Sequence, residues 1–166
     1  STPLIGMISR LTSQKGFDLV MRVFNEIMQE NVAIVLLGTG DPMYESFFRG
    51  MEASYKGRVC SYIAYDNALS HQIYAASDLF LMPSKFEPCG LSQMIAMRYG
   101  SIPIVRETGG LKDTVIPFNA ETGLGRGFTF KTYNSYDMLD AVWRAFGTFS
   151  DKEKWNQAVA NSMSAD

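Results

Sequence analysis

Asp78-Leu-Phe-Leu-Met-Pro-Ser-Lys-Phe-Glu-Pro-Cys-Gly-Leu-Ser-Gln-Met-Ile-Ala-Met-Arg-Tyr99 runs from a short apolar segment, through a turn, into a segment with helical character. The turn, Ser84–Ser92, carries Glu87, Pro88 and Gly90 where the backbone must bend. A strand feeding a helix through a short turn is the repeating unit of an open α/β sheet, and ligands of such sheets bind beyond the carboxyl ends of the strands. By itself the string fits two readings equally: a corner with a solvated Glu87, or a loop that does chemistry.

The alternation extends both ways along the chain. Leu4–Ile8 is an apolar run of strand length, and Phe17, Val20, Met21, Phe24, Ile27 and Met28 follow at helical spacing as core positions. Asn31 offers a helix stop. Ala33–Leu37 is apolar throughout, as a strand covered on both faces should be. Gly38-Thr-Gly-Asp-Pro42 then turns the chain into a helix over 43–55. Arg58–Ala64 reads as a third strand, with Cys60 a small core residue. Ser70 is a candidate cap for a short helix, His71–Ala76; the one histidine, His71, has a surface or capping place there rather than a catalytic one. Leu79–Met82 is the fourth strand, and Leu91–Tyr99 a helix closed by Gly100, where a left-handed residue is wanted. Ser101–Val105 is the fifth strand. Pro103 cannot donate a ladder hydrogen bond, which asks for an edge position or a strand start at Ile104. Thr108-Gly-Gly110 is a second glycine turn, ahead of a short helix at Leu111–Val115. A loop over 116–126 leads to a last strand, Gly127–Phe130, and two terminal helices, Tyr136–Phe146 and Lys152–Ser162. About six strands alternating with helices, with no linker, predict a single doubly wound α/β domain: a Rossmann-like parallel sheet with helices on both faces.

The 166 residues are 46% apolar and 19% charged with a net charge of -2, the make-up of an ordinary globular domain that can build a sizeable core. No dense basic run points to a nucleic-acid partner. No apolar run nears the ~20 residues that span a bilayer, and no charged-then-apolar leader opens the chain. The chain starts on a strand-like run without an initiator methionine, which reads as a domain cut from a longer protein. Two cysteines, Cys60 and Cys89, with a single histidine make neither a disulfide framework nor a zinc site. Reduced thiols in a cytosolic protein, and no metal, are the expectation.

Candidate chemistry lies in the loops after successive strands, which share one edge of a parallel sheet. Ser9-Arg-Leu-Thr-Ser-Gln-Lys-Gly16 sets Arg10 and Lys15 five apart ahead of a helix. Paired cations beside free helix N–H groups suit a phosphate or diphosphate, although solvated surface cations fit the loop as well. The glycine spacing is not that of a P-loop. Gly38 and Thr39 belong to a Gly-Thr-Gly turn where backbone can approach a ligand. Tyr65, after the third strand, can stack on a base or sit half-buried. Gly90, Leu91 and Ser92 open a helix and offer an anion site. Glu87 beside them could support a developing cation, hold sugar hydroxyls, or only complement the helix dipole. Neither a Ser-His-Asp set nor a paired-carboxylate motif is present.

In their order and spacing, Ser9-Arg-Leu-Thr-Ser-Gln-Lys-Gly16, Gly38-Thr-Gly-Asp41, Pro83-Ser-Lys-Phe-Glu-Pro-Cys-Gly-Leu91 and Thr108-Gly-Gly-Leu-Lys-Asp-Thr-Val115 resemble the C-terminal domain of the bacterial glycogen synthase and plant starch synthase family, along nearly the whole chain. The resemblance implies one half of a GT-B architecture, two Rossmann-like domains facing a cleft. It implies a retaining glycosyltransferase that moves glucose from ADP-glucose to the non-reducing end of an α-1,4-glucan. Residues 1–166 would be its donor-binding half. By residue match, Arg10 and Lys15 would hold the donor diphosphate and serve catalysis with Glu87, which would hold the glucose and stabilise the transition state. Tyr65 would stack on the adenine. The backbone of Cys89, Gly90, Leu91 and Ser92 would bind the glucose and distal phosphate, with Gly38 and Thr39 also near the donor.

Two cations and a helix N-terminus would neutralise the leaving diphosphate with no metal or other cofactor. Glu87 can be read as a nucleophile by analogy with retaining glycosidases; electrostatic support, with attack on the leaving group's own face, is preferred. Ile95 stands where many related transferases place a second glutamate, which weighs against UDP-sugar and sucrose-type relatives. The implied partners are ADP-glucose, the glucan and the N-terminal domain of the same enzyme. That domain's Lys-x-Gly-Gly-Leu motif, and the family's last helix that crosses back to it, lie outside these residues. The isolated domain is expected to fold, to bind ADP weakly and not to elongate glucan. Bacterial cytoplasm is the default location, or a plastid for a plant source. A nucleotide-binding module without catalysis is the competing expectation, because this architecture hosts many functions.

Overall fold

A computed structural model of the chain describes residues 1–87 and 90–164. Its strands are β1 (Leu4–Ile8), β2 (Ala33–Leu37), β3 (Val59–Tyr62), β4 (Leu79–Met82), β5 (Ile102–Arg106) and β6 (Phe128–Phe130). They alternate with helices α1 (Phe17–Met28), α2 (Pro42–Ser54), α3 (Asn67–Ala76), α4 (Leu91–Arg98) and α5 (Gly109–Thr114), and the chain closes with α6 (Ser135–Ser150) and α7 (Lys152–Met163). All strand pairs are parallel, in the order β3-β2-β1-β4-β5-β6. The doubly wound α/β sheet expected from the sequence therefore forms, and its winding reverses between β1 and β4.

The continuous apolar runs are explained by two cores, one on each face. Successive side chains of a strand point to opposite faces. Leu79 and Leu81 join Ile5, Met7, Ile34, Leu36, Ile102 and Ile104 in the larger core, under α1, α2 and α6. Phe80 and Met82 point the other way, to Val105, Tyr74, Ala96 and Leu111, in a smaller core under α3, α4 and α5. On α1 the stripe of Phe17, Val20, Phe24, Ile27 and Met28 is buried as expected. Phe17 and Phe24 each meet Phe48 of α2 edge-on, with ring centroids 5.8 Å apart. Trp155 and Ala158 of α7 join the larger core, while Met163 reaches Gly100, just ahead of β5.

Three local expectations are corrected. Cys60 is exposed, not core. β3 lies at the sheet's rim, and α2 covers the face carrying Val59, so Cys60 looks away from the packed side. Asp66, not Ser70, caps α3: its carboxylate accepts the Leu69 N–H at 3.0 Å, while the Ser70 hydroxyl donates to the Asn67 carbonyl inside the helix. Pro103 sits within an interior strand that starts at Ile102. The Ile102 N–H donates toward the β4 side, to the Asp78 carbonyl, so alternation turns Pro103 toward β6. Pairing with β6 begins only at Ile104, and no ladder donor is missed.

The rims of the sheet are also occupied. On β3 the Val59 N–H donates to the Tyr55 carbonyl, and the Ser61 N–H to the Glu52 carboxylate of α2. On β6 the Thr129 carbonyl accepts from the Arg144 guanidinium of α6 at 2.7 Å.

Candidate functional site

The reversal between β1 and β4 sets the loops after these strands side by side, at the position where open α/β sheets bind ligands. The first loop ends in a single 3-10 turn, Ser13–Lys15, followed by Gly16 at φ 86°. A Cβ on Gly16 would lie 2.2 Å from the Pro83 carbonyl oxygen. Only glycine lets this loop pass so close to the Glu87 turn. The Lys85 N–H donates across the gap to the Gln14 carbonyl at 2.9 Å. Lys15 Nζ then reaches Glu87 Oε1 at 2.8 Å, with the two side chains 24% and 12% exposed. The buried Ser84 hydroxyl donates to the same carboxylate oxygen at 3.1 Å. The Gly110 N–H donates to the Glu87 carbonyl at 3.1 Å, which brings the second glycine turn to the same corner.

Beside this ion pair lies a cavity of about 290 Å³. Ile8, Ser9 and Arg10 line it from the end of β1, and Leu37, Gly38 and Thr39 from the end of β2. Ala64, Tyr65, Asp66 and Asn67 follow β3; Ser70, His71 and Tyr74 come from α3, and Ser92 and Ile95 from α4. Arg10 and Tyr65 are exposed on the rim, Tyr65 at 92%. Tyr74 is buried, and that burial pushes its phenol above its ordinary value, with the Ser92 hydroxyl acting in the opposite direction. His71 Nδ1 lies 3.0 Å from the Tyr99 hydroxyl.

The residues singled out from sequence thus fall into two adjoining groups. Arg10, Gly38, Thr39, Tyr65 and Ser92 surround the cavity. Lys15 and Glu87 do not line it but pair beside it. Gly90, at φ 62°, is the left-handed residue that starts α4, and Leu91 follows with its side chain 71% exposed. Cys89 lies outside the described residues. Gly38 has a reason unrelated to ligand approach: its missing Cβ would sit 2.0 Å from the Ser9 carbonyl oxygen. The glycine lets the loops after β1 and β2 pack together. The Thr39 hydroxyl is spent inside the chain, donating to Glu45 at 2.8 Å. The Gly40 N–H and then this hydroxyl hold the Glu45 carboxyl below its ordinary value.

No ligand role follows from the sequence for the α3 residues of the lining, with Ser70 expected as a cap and His71 at a surface or capping place. Ser70, His71 and Tyr74 share a helix face through their spacing of one and four residues, a signal that was available. Ile95 lines the cavity and also packs on the smaller core.

Residues 1–160 match the family described as Glycosyl transferases group 1. The chain belongs to the group 1 glycosyltransferases. Two bacterial relatives are named glycogen synthase. That of Clostridioides difficile is 54% identical over 166 residues, 100% of this chain and 35% of the relative. That of Bacillus anthracis is 55% identical over 165 residues, 99% of this chain and 35% of the relative. Among solved structures, the catalytic domain of Starch Synthase IV from Arabidopsis thaliana, bound to ADP and acarbose, superposes with a TM-score of 0.90 at 45% identity, covering 99% of this chain and 35% of that one. This glycosyltransferase chain spans about a third of the length of these relatives. Its paired Lys15 and Glu87 sit at the switch point of the group 1 domain, beside a cavity lined from the ends of β1 and β2 and the loop after β3.

Proposed function

We propose that this group 1 glycosyltransferase chain is the donor-binding half of a glycogen or starch synthase. It would present ADP-glucose to the non-reducing end of an α-1,4-glucan held largely by the N-terminal domain of the same enzyme. One observation carries the reading: an acid–base pair, Lys15 and Glu87, stands beside a cavity rimmed by a cation, Arg10, and an exposed ring, Tyr65. The likeness to glycogen synthases and to an ADP-bound starch synthase supports it.

The chemistry follows from where charge develops. As the bond from the anomeric carbon to the diphosphate breaks, negative charge gathers on the leaving group and positive charge on the sugar. Arg10, Lys15 and the positive end of α4 at Gly90–Ser92 would meet the first. The Glu87 carboxylate would oppose the second, held in orientation by the Ser84 hydroxyl. Tyr65 would stack on the adenine, and Gly38 and Thr39 would supply cavity wall. We read Glu87 as electrostatic support, with the acceptor attacking on the face the diphosphate leaves. No metal or other cofactor has a part in this scheme. Its place of action would be the cytoplasm in a bacterial source, or a plastid in a plant.

Calorimetric titration of the chain with ADP, UDP and AMP tests the reading. ADP should bind most tightly, and Arg10→Ala and Lys15→Ala should each weaken it by roughly tenfold, about 1.4 kcal/mol. Weak, equal binding of all three nucleotides would sink the proposal. Radiolabelled glucose from ADP-glucose should enter glycogen with the full-length enzyme and not with these 166 residues alone.

A further inference from the structure

Tyr133 and Arg106 lie outside the cavity lining, yet both reach the two loops that carry Lys15 and Glu87. Tyr133 sits between β6 and α6. Its hydroxyl donates to Asp18 Oδ1 at 2.5 Å and faces the Ser13 carbonyl oxygen at 2.9 Å, across 115 and 120 residues of sequence. Burial first, and Asp18 second, push its phenol far above the ordinary value, so the hydroxyl keeps its proton and stays a donor to these two oxygens. The Arg106 guanidinium lies 5.8 Å from the centre of the same ring, and Lys85 Nζ 5.4 Å from it. Arg106 donates to the Ser84, Lys85 and Lys131 carbonyls. Among the described residues no carboxylate forms an ion pair with it. A guanidinium whose three hydrogen bonds end on backbone oxygens works as a bracket, and its planar fork suits neighbouring carbonyls in a way a lysine cannot. The ring thus holds the cation loop by its hydroxyl and carries, on its face, the bracket that holds the glutamate turn.

We propose that Tyr133 and Arg106 form a clamp that sets Lys15 against Glu87, making them positioning residues for the donor diphosphate. The proposal rests on the donor-binding reading above. A bond from the Lys85 N–H to the Gln14 carbonyl already joins the two loops, but Lys85 is exposed. Tyr133 and Arg106 add side-chain ties to that backbone bond and so help hold the two loops in register. AMP lacks the second phosphate and should feel the clamp little.

Two measurements on the chain separate a clamp from a general loss of fold. In the nucleotide-free protein, deuterium exchange of the Lys85 amide should rise roughly tenfold in Tyr133→Phe, while the Ile5 and Leu81 amides keep their protection. In calorimetry, Tyr133→Phe should weaken ADP roughly tenfold and AMP by less than about twofold. Arg106→Lys keeps the charge and loses the fork, so it should repeat the ADP loss. Unchanged exchange at Lys85, a parallel fall for ADP and AMP, or wild-type ADP binding by Arg106→Lys would each overturn the clamp. A wild-type chain with no advantage of ADP over AMP would refute the donor reading, and the diphosphate role with it. Exchange at Lys85 would then report the loop contact separately.

Discussion

Lys15 and Glu87 pair at 2.8 Å, so on the donor-binding reading proposed above a diphosphate would have to compete with a carboxylate for one of its two cations. Glu87→Gln removes the competitor and keeps the shape. We expect it to tighten ADP binding by roughly three- to tenfold while lowering glucose transfer by the full-length enzyme; weaker ADP binding would show that Glu87 orders Lys15 more than it competes for it. Asp78 gives a test of pH dependence. Burial raises its carboxyl above the ordinary 3.8, although the Leu4 N–H bonded to it pulls the other way. The folded chain therefore holds this proton more tightly than the unfolded chain, and stability falls as pH rises from the ordinary value through the raised one. Asp78→Asn should melt higher than wild type at neutral pH, and the two should converge in acid; a gap that widens in acid would contradict the assignment. At this scale the sequence was legible where a charge or ring stood in a turn after an apolar run, as with Arg10, Lys15, Tyr65 and Glu87. Tyr133 and Arg106 left no such mark. Their meaning lies in contacts that the sequence separates by tens of residues or more, and a lone tyrosine after a last short strand has no pattern of its own.

Gly16 shows what a single position does to an element. An L-residue at φ 86° carries about 1–2 kcal/mol of strain, and a Cβ there would also press on the Pro83 carbonyl at 2.2 Å. Gly16→Ala should thus cost about 2 kcal/mol or more, lowering Tm by roughly 4–8 °C. Gly50, on the exposed side of α2, has open space where a Cβ would go. Gly50→Ala should raise stability by up to about 1 kcal/mol, since alanine favours the helix. Equal effects of the two substitutions, read by thermal melting, would contradict the packing described. Apolar runs for the strands and helical spacing for the helices sufficed to find nearly every element, because each signal lies within its own segment. Cys60, Pro103 and the cap of α3 resisted for a shared reason. Whether a cysteine is covered, a proline tolerated or one of two polar residues chosen as cap depends on what lies next to the element, and local pattern does not contain the neighbour.

The molecule as a whole follows from strand order. Alternation of strands and helices was enough to predict a doubly wound sheet. The order β3-β2-β1-β4-β5-β6 was not readable, since runs such as Ala33–Leu37 and Leu79–Met82 are both apolar throughout and carry no sign of which strand each will flank. Yet that order makes the site: it puts β4 beside β1 and so brings Glu87 within 2.8 Å of Lys15 across 72 residues. The division of the candidate residues between a cavity and an adjoining ion pair was hidden for the same reason. The occupied rims carry a consequence for motion. With the outward amides of β3 and the Thr129 carbonyl of β6 already bonded, another domain gains little by extending the sheet. On the reading proposed above, a second domain would therefore meet this one across loops, and the two would be free to hinge apart and together without tearing a backbone ladder at each turnover.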